Sequence, residues 1–186
     1  AHAVAAMTAS VSAFRGACHT LRVGDSVPLS DLLRGWVRMG YTPETAVEVP
    51  GAFSRRGGIV DIFPPSSDRP VRVELFGERV ESLRHFDPLS QRSQQKVDAV
   101  VVTPAQEALL PASGGLDTRR LLARLDPSNL APDARERLDE ELGRLEQGPF
   151  DGMEHYLPLL EPGPVLDYLP RDSLLGLDEP ARLRAA

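Results

Sequence analysis

Arg55 and Arg56 stand side by side ahead of a double glycine in "FSRRGGIVDIFPPSSDRPVRVELFG" (residues 53–77), and Arg72, Glu74 and Phe76 follow at every second position. In an extended strand this spacing puts the last three on one face, with Val71, Val73 and Leu75 on the other. Two opposite charges and an aromatic presented together suit recognition of another protein. A guanidinium can grip a carboxylate through two parallel hydrogen bonds, and arginine and aromatics are enriched among the residues that dominate protein–protein binding. Arg56, one strand away, can join them. Spacing alone leaves a second reading open, in which Phe76 is buried and the charges are ordinary cross-strand pairs, because a one-residue slip exchanges the two faces.

The remaining candidates for chemistry are weaker. Asp178-Glu179, after an apolar run, looks like the carboxylate end of a nucleotide-hydrolysing strand, which works only beside a phosphate cradle. Such a cradle needs a lysine after glycine, and the sole lysine, Lys96, follows Gln95. His155 lies beside Glu154, but no second histidine sits at metal-ligand spacing; the others are His2, His19 and His85. Ser66-Ser67 has no glycine elbow around it. Cys18 is the only cysteine, so no internal disulfide can form; it reads as a buried thiol in a cytoplasmic protein. A net charge of -6 argues against bulk phosphate-backbone binding. No apolar run is long enough to span a bilayer, and the Ala-rich start lacks a basic leader segment. The expectation is a chain with no catalytic residue, metal or cofactor and no membrane partner.

The elements that must position the arginines read as an α+β module, a helix packed on an antiparallel sheet. Residues 1–10 form a short apolar run ending in Thr8, Ser10 and Ser12, which suggests a buried strand of a parallel sheet passing into a polar-started helix. Leu29, Leu32, Leu33, Trp36 and Val37 recur at helical spacing, predicting a helix over about 28–39 with Trp36 in the core. Strands are predicted at 46–49, 58–63, 71–76, 79–85 and 98–102. Gly77-Glu78 suits a two-residue type II′ turn. "PASGG" (111–115) reads as a linker. Helices follow over 117–125, begun by Asp117, and about 133–147, where Ala134, Leu138, Leu142 and Leu145 form a stripe. Asp133/Arg137, Arg137/Glu141 and Glu140/Arg144 lie on its outer face at i,i+4. A last buried strand is predicted at Leu174 to Leu177.

The stretch from "LRVGDSVPLSDLLRGW" through "FDPLSQRS", with "FDGMEHYLPLL" and "VLDYLPRDSLLGLDEP" further on, resembles the UvrB-homology region of bacterial transcription-repair coupling factors. UvrB itself carries similar "RGDIVDIFP", "RVEFFG" and "GIENY…LLDYFP" stretches, but "FDPLSQRS" and "LDEP", where UvrB has "DESH", favour the coupling factors. The resemblance implies three parts: residues 1–20 from a degenerate helicase-like α/β domain, a UvrA-binding module like UvrB domain 2 over 21–111, and a helical segment with a returning strand over 112–186. The module would be inserted between elements of the helicase-like domain. Residue by residue, the family's UvrA contacts fall on Arg56, Arg72, Glu74, Leu75 and Phe76. Ser54 and Arg55 depart from UvrB's "FRVRG", and its "FF" pair is Leu75-Phe76 here. The implied function is a non-catalytic adaptor that recruits UvrA, with RNA polymerase and DNA engaged by other parts of an ATP-driven parent. The alternatives are a UvrB fragment, a nucleic-acid-binding domain, or a hydrolase built on Asp178-Glu179.

Overall fold

The computed structural model describes residues 7–110, 130–147, 150, 152–160 and 162–176. In chain order the elements are β1 (Met7–Ala9), α1 (Val11–Ala17), β2 (His19–Arg22), α2 (Leu29–Arg38), β3 (Thr42–Pro43), β4 (Ala52–Arg56), β5 (Ile59–Ile62), β6 (Val71–Phe76), β7 (Arg79–Phe86), β8 (Ser93–Val97), β9 (Ala99–Val102), α3 (Pro132–Gln147) and β10 (Pro162–Pro164). Short 3-10 turns span Met153–Leu159 and Val165–Tyr168. The largest sheet runs β3-β4-β5-β6-β7-β8, antiparallel except for the short β3–β4 pair. The mixed α+β class is as expected. Among the described residues, no helix is long and apolar enough to cross a membrane.

The helical periodicity of Leu29–Arg38 turns one face onto the sheet. Leu32, Trp36 and Met39 pack there with Phe53, Val60, Ile62, Val71, Val73, Val80 and Leu83, and Leu21, Val100 and Val102 close the side from the β2–β9 ribbon. Trp36 is fully buried, as its spacing predicted, with ring centroids 5.8 Å from Phe53 and 6.2 Å from Tyr41. Its indole Nε1–H donates to His19 Nε2 at 3.2 Å, so the polar edge of the ring has an acceptor inside the core.

A second cluster joins Leu142 and Leu145 of α3 to Met153, Leu157, Leu160 and Ala108, which accounts for most of the stripe read in the sequence. Asp133–Arg137 forms at 3.7 Å on the outer face. Glu141 instead accepts a hydrogen bond from Tyr156 Oη.

Several expectations are corrected. Residues 46–49 are not a strand: they belong to an arch that drops Val47 into a small cluster with Ala52, Phe63 and Phe86. Strands form at Ala52–Arg56 and Ser93–Val97, which pattern alone did not suggest. Met7–Ala9 is a strand and Ser10 caps the helix after it, but the strand pairs antiparallel with Pro162–Pro164 rather than in a parallel sheet. Leu174 and Leu175 are exposed and belong to no strand. Leu177, the pair Asp178-Glu179 and the helix expected over 117–125 lie outside the described residues.

Candidate functional site

Arg56 and Arg72 sit on the sheet face turned away from α2, whereas Arg55 falls in the row of Val60 and Val73 on the other face. Arg56 ends β4, and Gly57-Gly58 turns the chain into β5. Gly58 has no room for a side chain: a Cβ there would lie 2.7 Å from the carbonyl oxygen of Leu75. Its own carbonyl accepts from Leu75 N at 2.8 Å, locking the hairpin against β6. β6 returns through Gly77-Glu78. Gly77 has φ +62° and Glu78 a negative φ, the signs a type II′ turn requires. Just before this turn the register shifts: Glu74 pairs with Ser82 but Leu75 with Val80, leaving Glu81 as the extra residue of a bulge.

The alternation along β6 now has a fixed sense. Val71 and Val73 are fully buried and Leu75 packs on the same core. Arg72, Glu74 and Phe76 face outward, and Phe76 is 77% exposed. Leu75 is therefore not part of the outer surface, and Phe76 is its aromatic. Arg56, Ile59, Glu74 and Ser82 make one cross-strand row, with Ile59 also exposed. Glu74 accepts from Ser82 Oγ at 2.5 Å. Arg56 is exposed and donates through Nη2 to the Thr45 carbonyl at 3.0 Å.

Arg72 is not the free surface group that the sequence suggested. Its register partner is Asp61, which is 2% exposed. Nε donates to Asp61 Oδ1 at 2.7 Å and Nη2 to Oδ2 at 2.8 Å, a bidentate pair. Nη1 donates to the Gln91 carbonyl at 3.3 Å and to Ser93 Oγ at 3.1 Å, and the guanidinium lies 4.9 Å from the Phe86 ring centroid. Hydrogen bonding to Asp61 pushes the guanidinium pKa above its ordinary value. Of five N–H donors, these bonds occupy four. One donor remains, so Arg72 cannot offer a partner carboxylate a second bidentate grip without giving up Asp61.

Residues 20–107 match the UvrB interaction domain. The match covers α2, the six-stranded sheet and β9. The chain is similar to the transcription-repair-coupling factor of Bacillus subtilis, 31% identical over 97% of this chain, and to that of Myxococcus xanthus, 37% identical over 91%. It is also similar to the UvrABC system protein B of Acinetobacter baylyi, 32% identical over 84% of this chain. It spans 16% and 15% of the two coupling factors' lengths and 26% of the UvrABC protein. The resemblance read from the sequence thus holds over most of the chain.

Within the matched residues 20–107, four of the five expected site residues share one face: Arg56, Arg72, Glu74 and Phe76. Asp61, which holds Arg72, was missed. Its signal was a carboxylate inside the apolar run "IVDIFP", a position that calls for a partner. The other candidates disperse. His155 and Glu154 are exposed on a 3-10 turn. Ser66 Oγ accepts a hydrogen bond from Thr103 Oγ1 at 3.2 Å. Cys18 is half-buried rather than buried, with partial burial pushing its pKa up. Among the described residues, no group of acidic, histidine or cysteine side chains could hold a metal ion.

Proposed function

We propose that this chain is the recruiting region of a transcription-repair coupling factor, a non-catalytic adaptor whose UvrB interaction domain binds UvrA. The observation that carries the reading is the exposed Phe76 on the outer face of that domain, opposite Arg79 and next to Glu74, with Arg56 and the fixed guanidinium of Arg72 further along the same face. A large aromatic left in water at the tip of a rigid hairpin costs free energy unless a partner covers it, and aromatic–arginine groupings are the usual anchors of protein interfaces.

In this reading residues 1–20 and 112–186 belong to a degenerate helicase-like unit into which the module of 21–111 is inserted. Asp178-Glu179 is an inherited strand end without a phosphate cradle. RNA polymerase and DNA are engaged by other parts of the parent, and no cofactor or membrane takes part. The 32% identity to a UvrABC system protein B favours a second reading, a UvrB fragment using the same face for UvrA. A phosphate-binding loop in the parent sequence ahead of Ala1 would mark UvrB.

The test is calorimetric titration with UvrA. Phe76→Ala should weaken binding about thirty-fold, from a hot-spot loss of ~2 kcal/mol at ~1.4 kcal/mol per tenfold, with an unchanged melting temperature. Arg56→Ala should weaken it in the same direction. Parent-like binding by both variants refutes the assignment.

A further inference from the structure

The row that starts at the buried Asp61 continues across the sheet through Arg72, Arg84 and Lys96, each directly opposite the next. Three cations therefore stand on three adjacent strands. Like charges placed opposite one another destabilise a sheet. Asp61 compensates only the first of them. Among the described residues, Arg84 and Lys96 form no ion pair or side-chain hydrogen bond, and Arg84 Nε is buried without an acceptor. Lys96 is the chain's sole lysine and stands exposed on the sheet's edge strand. Arg56 and Arg79 add positive charge to the same face, against the carboxylates of Asp61 and Glu74. A chain of net charge -6 thus turns one cationic face outward.

We infer that Arg72, Arg84 and Lys96 form a cationic ladder that receives an acidic segment of the partner protein, with Arg84 and Lys96 as contact residues beyond the hairpin tip. The inference rests on the reading that UvrA binds this face, and it supplies the chemistry of the complementary surface. Strands are spaced at about 4.8 Å, so the ladder extends about 10 Å from Arg72 to Lys96, the reach of a short cluster of carboxylates. Arg84 Nε is buried, so Arg84 meets one of them through its terminal Nη pair. A protein fits better than a nucleic acid: Glu74, in the row beside the ladder, would repel a phosphate backbone, whereas a protein surface can meet Glu74 with a donor and Phe76 with an apolar pocket.

The experiment titrates the parent chain, Arg84→Gln, Lys96→Gln and Phe76→Ala with UvrA at low and high salt, with a melting curve for each. The two ladder variants should bind about three- to ten-fold more weakly, with slower association and a flatter salt dependence. Their melting temperatures should stay level or rise, because cross-strand repulsion has been removed. Arg84→Lys should restore the salt dependence but only part of the affinity. If both ladder variants bind and respond to salt like the parent while Phe76→Ala loses affinity, the ladder is overturned and the UvrA reading stands. If the parent does not bind UvrA, that reading fails and takes the ladder with it. A marked fall in melting temperature would make the ladder structural. Loss of binding to a duplex DNA probe, with UvrA binding intact, would assign it to nucleic acid; either result overturns the proposal.

Discussion

Replacing Arg72 by alanine should destabilise the fold. Truncation leaves the Asp61 carboxylate, 2% exposed, without its bidentate partner, and removes the ties to the Gln91 carbonyl and Ser93 Oγ. Breaking a buried ion pair from one side costs ~3–5 kcal/mol. The Arg72 side chain keeps 16% of its surface in water, so solvent can reach Asp61 once the guanidinium is gone. That favours the lower end, about 3 kcal/mol. For a chain of 186 residues this is a fall of roughly 6–12 °C in melting temperature, at about 2–4 °C per kcal/mol. The assay is thermal and urea denaturation followed by circular dichroism. Arg72→Met with Asp61→Asn should recover much of the loss, because no charge is then stranded. An Arg72→Ala variant within about 0.5 kcal/mol of the parent, the range of neutral surface changes, would refute the strut. Any loss of partner binding by Arg72→Ala must be compared with Asp61→Asn, which disturbs Arg72 without removing it.

Two further changes probe the fold around the site. Gly58→Ala should cost about 1–3 kcal/mol, since its Cβ would meet the Leu75 carbonyl at 2.7 Å and push the hairpin off β6; a parent-like melting curve would show that the sheet absorbs the strain. Burial holds the His19 imidazole below its ordinary pKa of 6.5, and its Nε2 accepts from Trp36. The unfolded chain takes up that proton first as pH falls, so stability should be complete above about pH 6.5 and decline as pH drops through the depressed folded value. His19→Gln should flatten that slope in urea melts between about pH 7 and pH 5, and an unchanged slope would place the titrating group elsewhere.

Where one face of an element is buried along its whole length, periodicity located it: Leu29–Arg38 and Val71–Phe76 appear where their apolar spacing put them. The turn at Gly77-Glu78 was equally legible, because only a residue that tolerates positive φ suits its first position. Ser93–Val97 was not. "SQQKV" is an edge strand exposed along most of its length, so no alternation is imposed on it. "AVEV" at 46–49 has the alternation of a strand but is drawn into an arch by Val47, whose contacts with Phe63 and Phe86 come from distant parts of the chain.

For the site, the sequence by itself determined the residue types, their spacing on β6 and the family they resemble. The tertiary structure decided which face of β6 looks outward, because burial of Val71 and Val73 against Trp36 and its neighbours requires a helix from elsewhere in the chain. It also decided the role of Arg72. Spacing cannot distinguish a surface arginine from a strut. The distinction arises only when β5 pairs with β6 in the register that sets Asp61 opposite Arg72 and removes that carboxylate from water.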